Sequence, residues 1–285
     1  MSLDLAELVN IRQHLPINFH KCNYGPRGPR ILCAIFTHPK YYRTRLVPVA
    51  NTWAKRCDLA LFITSDHRNV TFESKTYLDD EDDVNDFIAR LNLVDLNMTD
   101  DIYDKLTDKV IRAILHVNEN YADKFDWFLK ADDDSYMVMD NLRKFLDDKC
   151  PNEMQTYGKV LTSHREHGYQ AGGSGYCMSR EAVRQFSSTM RRNASFCRLK
   201  TKFEDVDIGE CLARLNIYPG DSRDEFGEFL IKFLFQVNEK YSICAIFNNN
   251  KLRSREISSD ANRNKLDRGE DVARRQIVSS CSQGK

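Results

Sequence analysis

A chain of 285 residues, 41% hydrophobic and 11% aromatic, carries enough apolar material for one large globular domain or two small ones. Its 42 acidic and 42 basic residues cancel, so no global field draws it to nucleic acid or anionic lipid, and any partner must be recognised locally. No run approaches the roughly 18–20 apolar residues that cross a bilayer, and the start of the chain lacks the apolar core of a signal peptide.

Residues 1–29, "MSLDLAELVNIRQHLPINFHKCNYGPRGP", show helical periodicity at Leu3, Leu5, Leu8 and Val9 and then a Pro/Gly-rich linker, the pattern of a stem rather than a span. From about residue 31 to 218, apolar runs alternate with helical periodicity, which predicts an α/β domain with a largely parallel sheet. "ILCAIF" (31–36) and "LALFIT" (59–64) read as buried strands, and "YYRTRLVPVANTWAKR" between them as a helix entered near Pro48. A longer helix fits 103–121, with Leu106, Val110, Ile111, Ile114 and Val117 on one face. "DWFLKA" supplies the next strand, "MVMDNLRKFLDD" a helix, "YGKVLTS" a strand, "SREAVRQFSSTMRR" a helix capped by Ser179, and "FEDVDIGECLARLN" another helix. The α/β domain spans 30–248, with 249–285 a polar, charged tail that cannot bury enough apolar surface to offset its ordering entropy and is expected to be disordered.

The chemistry concentrates where "DWFLKA" ends, in Asp132, Asp133 and Asp134. Open α/β sheets bind ligands beyond the carboxyl ends of their strands. Three adjacent carboxylates are tolerable there if a hard divalent cation such as Mn²⁺ or Mg²⁺ offsets their charge and bridges a pair of phosphates. The competing account is a solvated acidic turn capping the helix that follows. "AGGSGYCMS" (171–179) is either a tight turn or a place where backbone approaches a ligand closely, with Tyr169 and Tyr176 offering flat faces to a sugar. On residues alone, the acidic start of "FEDVDIG" is most simply an interaction with the helix dipole.

"LKADDDSY", then "GGSGY", "FEDVDIG" and "GDSRDEFG" in that order, together with "TWAKRC" and "FITSD" nearer the front, resemble the fringe-like inverting β1,3-glycosyltransferases, and among them the core 1 galactosyltransferase branch, over roughly residues 30–229. The resemblance implies a GT-A fold, a Rossmann-like mostly parallel sheet flanked by helices. It implies transfer of galactose from UDP-galactose, with Mn²⁺, to the 3-hydroxyl of O-linked GalNAc on a glycoprotein acceptor, on the lumenal side of the Golgi membrane. Carried onto this chain, Asp134 and Asp132 are metal ligands, Asp132 also contacting the nucleotide. Phe36 and Thr37 line the uridine pocket, Asp101 and Lys109 hold the nucleotide, and Gly172 and Gly173 border the donor and acceptor. Asp205 is the catalytic base, Glu204 a neighbour that positions the acceptor, and Asp207 points elsewhere if the segment is helical.

The same resemblance pairs Cys33 with Cys57, while Cys197 and Cys211 likewise bracket "FEDVDIG"; burial as reduced cysteines is the alternative. Nine cysteines are odd in number, leaving at least one unpaired or bonded to another chain, with Cys281 a candidate. They point to an oxidising compartment, and the sequons at Asn69, Asn97 and Asn193 permit glycosylation there. The family continues after "DSRDEFG" to a segment whose histidine binds metal, whereas no histidine follows His167 here, so metal affinity is expected to fall and activity to be weak or absent. The alternative class is a non-catalytic relative, a folding partner or a sugar-nucleotide-binding protein; homodimerisation is compatible with either.

Overall fold

The computed structural model describes Cys22 and residues 24–65, 81–99, 101–197 and 201–223. Residues 1–21 of the stem expected at 1–29, the polar tail, the segment after "DSR", the Asn69 sequon and Cys281 lie outside these residues.

The chain enters with β1 (Ile31–Phe36), whose six side chains are all buried, as a central parallel strand covered on both faces requires. Its alternate residues feed two separate cores. Ile31, Cys33 and Ile35 pack with Tyr42, Leu46 and Trp53 on one side. Leu32, Ala34 and Phe36 pack with Val110, Ile114 and Val117 on the other. The segment expected as one helix is broken into a 3₁₀ turn at Pro39–Tyr41, a π-helical turn at Tyr42–Leu46, helix α1 (Val47–Asn51) and a second 3₁₀ turn at Trp53–Arg56. Pro48 explains the break, because it has no N–H to continue the ladder from the preceding turn. Then follow β2 (Leu59–Thr64), α2 (Glu81–Ala89) and β3 (Leu93–Asp95). Helix α3 (Leu106–Tyr121) begins three residues later than the periodicity suggested, after a 3₁₀ turn at Tyr103–Lys105. Next come β4 (Trp127–Asp132) and α4 (Met139–Leu146). The strand expected at "YGKVLTS" is two pieces, β5 (Thr156–Gly158) in the main sheet and β6 (Val160–Leu161), which pairs antiparallel with β7 (Tyr169–Gln170). The described chain closes with β8 (Tyr176–Ser179), α5 (Arg180–Arg192), α6 (Glu204–Ala213) and β9 (Pro219–Asp221). Ser179 caps α5 as expected, its hydroxyl oxygen accepting from the Ala182 amide at 3.1 Å.

Among the described residues, the seven main strands run in the order β3-β2-β1-β4-β8-β5-β9, parallel except for β8, which is antiparallel to both neighbours. This is the GT-A arrangement, a mostly parallel sheet with helices on both faces. Parallel pairing of β1 with β4 sets Phe36 opposite Asp132, so the two strands end side by side. Among the described residues no helix is long and apolar enough to cross a membrane.

Among the described residues, three disulfides fasten the domain. Cys33–Cys57 and Cys197–Cys211 are the two expected pairs, and Cys22–Cys150, joining the linker before β1 to the turn after α4, is a third. Cys177, buried on β8, is the free cysteine among the described residues. The sequon residues Asn97 and Asn193 are both exposed.

At the opposite edge from the aspartate triplet, Asp126 anchors the start of β4. Its carboxylate accepts from the Arg30 amide and guanidinium at 2.9–3.1 Å and from Arg180 Nη1 at 3.1 Å. Burial pushes the Asp126 carboxyl up, but the two arginines together outweigh it and hold it below its ordinary value of 3.8. An Asp126→Asn variant keeps the shape and loses the charge. It is expected to be about 1 kcal/mol less stable to urea near neutral pH, solvent around the half-exposed Arg30 screening the pair. A depressed native pKa stabilises above the unfolded value, and that stability is lost as pH falls through the native one. The gap between wild type and variant should therefore close in acid.

Candidate active site

Thr37, the first residue beyond β1, is buried and fastened three ways. Its amide donates to the Ile63 carbonyl at 2.9 Å, its hydroxyl donates to Asp133 Oδ2 at 2.7 Å, and its carbonyl accepts from Lys109 Nζ at 2.8 Å. Lys109 sits on the inner face of α3, 3% exposed, and its ammonium also meets Asp101 at 2.7 Å. A buried lysine needs such partners, because an unpaired charge away from water is very costly. Phe36, Thr37, Asp101 and Lys109 are thus gathered at one strand end beside the triplet.

The three aspartates are divided among different partners. Asp132 Oδ1 accepts from Lys130 Nζ at 2.8 Å, Asp133 is clasped by Thr37, and Asp134 Oδ2 meets Arg45 Nη1 at 3.2 Å. Arg45 also lies 3.6 Å from Asp133 and rests on the Tyr41 ring, 3.9 Å from its centroid. Burial, with the Thr37 hydroxyl and Arg45 opposing it and Asp134 and Asp132 adding to it, pushes the Asp133 carboxyl up to about 7. Asp134 is also raised, by burial and then by Asp132.

Asp132 and Asp134 face a cavity of about 450 Å³, within the size range of small-molecule sites. Tyr103, Gly172, Gly173, Glu204 and Asp205 also line it, so residues expected at the donor end and the acceptor end share one space. Asp205 Oδ2 accepts from the Gly172 amide at 3.1 Å. Glu204, 5% exposed, accepts from the Tyr176 hydroxyl at 2.9 Å and stands 3.5 Å from Lys130. Burial raises its carboxyl, with Lys130 working against that rise. Gly172 is needed where it stands, since a Cβ there would come 2.5 Å from Glu204 Oε2; Gly173 has no such neighbour. Asp207 turns away as the helical reading required, accepting from the Thr201 and Thr107 hydroxyls at 2.7 and 3.2 Å.

Two readings of this region are corrected. Tyr169 and Tyr176 do not offer their faces to a sugar. Tyr176 is 2% exposed on β8 with its hydroxyl on Glu204, and Tyr169 is 4% exposed, stacked on His164. The aromatic ring on the cavity is instead that of Tyr103, 68% exposed.

Sequence pattern alone passes over Lys130. It is 6% exposed, and its ammonium touches Asp132, Glu204 and the Gly172 carbonyl. Burial lowers its pKa, but Asp132 and Glu204 outweigh that and hold it above the usual lysine range. The available signal was a lysine inside the otherwise apolar "WFLKA", since a charge in a strand covered on both faces implies a buried partner.

Among the described residues, no group of three or more His, Cys, Asp or Glu side chains is gathered as a closed metal site. Asp132 and Asp134 nonetheless fit a hard cation. They present two oxygen donors to one cavity, and Asp132 contributes to the raised pKa of Asp134, a repulsion that a cation relieves. Mg²⁺-like ions are commonly held by one or two carboxylates, with phosphate and water completing the shell.

A Fringe-like family model matches residues 27–226. Glycoprotein-N-acetylgalactosamine 3-beta-galactosyltransferase 1 of Xenopus laevis is 34% identical over 220 residues, 77% of this chain and 55% of that protein. Chondroitin sulfate synthase 3 is 27% identical over 202 residues in Mus musculus, covering 67% of this chain and 21% of that protein. The Homo sapiens protein of that name is 29% identical over 118 residues, 37% of this chain and 13% of its own. The chain thus spans about half the length of the first of these curated relatives and about a fifth or less of the others. The family match begins just before β1 and runs through the cavity to β9, so every element that carries a site residue falls inside it, and the chain belongs to the Fringe-like family.

Proposed function

We propose that this chain is an inverting β1,3-glycosyltransferase that moves galactose from UDP-galactose to the 3-hydroxyl of O-linked GalNAc on a glycoprotein. The observation that carries the reading is the pair of acidic loci on a single cavity, Asp132 and Asp134 at the tip of β4 and Asp205 in the first turn of α6. An inverting transfer needs both ends: charge compensation where the diphosphate leaves, and a carboxylate that accepts the proton of the attacking hydroxyl. The family and the named galactosyltransferase relative support the reaction class, and the three disulfides suit the oxidising Golgi lumen.

In this reading Asp132 and Asp134 hold Mn²⁺, which when bound stabilises negative charge on the departing diphosphate. Lys109, fixed by Asp101 and Thr37, contributes positive charge at the nucleotide end, and Phe36 and Thr37 shape the uridine side. Asp205 receives the acceptor's proton as the new C1–O bond forms and the bond to UDP breaks on the opposite face of the sugar. The Gly172 amide keeps one carboxylate oxygen of Asp205 in place, so its orientation precedes substrate binding.

The direct test offers UDP-galactose and a GalNAc-bearing peptide with MnCl₂, and reads product linkage by NMR. A β1,3-linked galactose is the expected product. Transfer only from UDP-glucose or UDP-N-acetylglucosamine would reassign the donor, and the absence of both transfer and UDP binding would overturn the reading.

A further inference from the structure

Lys130 belongs to neither acidic locus; it touches Asp132 in the first and, through Glu204 and Gly172, the two neighbours of Asp205 in the second. It projects from the central strand β4, where an apolar side chain would satisfy packing, yet its ammonium reaches Asp132 Oδ1 at 2.8 Å, the Gly172 carbonyl at 3.1 Å and Glu204 Oε2 at 3.5 Å. Gly172 completes the chain of contacts, accepting from Lys130 through its carbonyl and donating to Asp205 through its amide at 3.1 Å. The parts around the ammonium have little freedom. Glu204 is held on its other oxygen by Tyr176, and helix α6 is tied by Cys197–Cys211. At Gly175, with φ +77°, a Cβ would meet the Lys130 carbonyl at 2.9 Å, so the glycine loop is pressed against this strand. Ser135 makes a second link from the triplet to the loop, donating to the Gly173 carbonyl at 2.9 Å, but reaches no charged group there.

Building on the transferase reading above, we propose that Lys130 is a positioning residue that fixes the Asp205 carboxylate relative to the departing diphosphate, its ammonium joining Asp132 on the donor wall to Glu204 and Gly172 on the acceptor wall. Alignment of the base with the bond that breaks matters because a displacement of about 1 Å costs on the order of 100-fold in rate. The ammonium also opposes a cation at Asp132, so removing it takes away repulsion at the nucleotide end. A residue needed for alignment and one needed only for folding therefore separate cleanly. Loss of alignment slows turnover while metal and nucleotide still bind, whereas loss of fold removes both.

The experiment compares wild type, Lys130→Met, Glu204→Gln and the double variant in two assays: UDP binding with MnCl₂ by calorimetry, and transfer at saturating UDP-galactose. Lys130→Met is expected to bind Mn²⁺ and UDP as well as wild type or more tightly, with turnover lowered about 100-fold. Glu204→Gln keeps the Tyr176 hydrogen bond but drops the charge facing Lys130, and carries the same test should Lys130→Met fail to fold. Because the two side chains act as a unit, the double variant should lose no more than the worse single one. Turnover and binding falling in parallel, additive losses, or unchanged turnover would each overturn the positioning role. A wild-type chain that neither binds UDP with MnCl₂ nor transfers would overturn the transferase reading and this inference with it; a wild type that does both confines any failure to Lys130.

Discussion

Asp205→Asn is expected to lower transfer between about 100- and 10,000-fold, the range that a positioned general base contributes, while UDP binding with MnCl₂ stays at the wild-type level. The substitution is nearly isosteric, and an amide oxygen still accepts from Gly172, so the loop and the start of α6 keep their places. What disappears is the capacity to take up a proton as the acceptor oxygen attacks. Steady-state kinetics separate the cases: kcat falls while the nucleotide dissociation constant does not move. Asp207→Asn is the internal control. It also lies in the first turn of α6, but its carboxylate is spent on Thr107 and Thr201, so any effect should appear as lost thermal stability rather than as a selective fall in kcat. Full transfer by Asp205→Asn would show that the proton goes elsewhere.

The contrast between Asp205 and Asp207 shows what the sequence made legible. Periodicity placed both on a helix and so on different faces, and the structure sends one to the cavity and the other to Thr107 and Thr201. "ILCAIF" was equally plain, because an unbroken apolar run is what a strand covered on both faces needs. Less legible were features set by contacts distant in the chain. Tyr176 looked like part of an open glycine loop, but it lies on β8, a strand paired along both edges by β4 and β5 and buried at all four residues, and four residues are too few to show that by periodicity. Cys22–Cys150 spans 128 residues, a connectivity that spacing does not report. Lys130 stood in view inside an apolar strand, yet its partner Glu204 comes from a helix more than seventy positions later.

Asp134→Ala is expected to weaken Mn²⁺-supported UDP binding at least about 100-fold, close to 2.7 kcal/mol, with the unliganded fold little changed. The expectation follows from how the triplet divides its charge. Asp133 is the buried member, 4% exposed and clasped by the Thr37 hydroxyl, and it fastens the end of β4 to the end of β1. Asp132 is engaged by Lys130. Asp134 is the member on the cavity whose charge partner is Arg45, a side chain carried on the π-helical turn before α1 rather than on the strand itself. Removing its carboxylate deletes a hard oxygen donor and leaves the Arg45 charge facing the cation's place, two effects of the same sign on metal affinity. Neither touches the core, and in the absence of ligand the loss of a neighbouring like charge offsets the loss of the Arg45 pair. Asp133→Asn should behave in the opposite way, retaining metal-supported binding because an amide oxygen still accepts from Thr37. Calorimetry with UDP, with and without MnCl₂, reads both variants. Metal-dependent uptake by Asp134→Ala equal to wild type would mean that this carboxylate is only Arg45's partner, and that adjacent aspartates at the tip of β4 serve to join strand ends instead of gripping a cation.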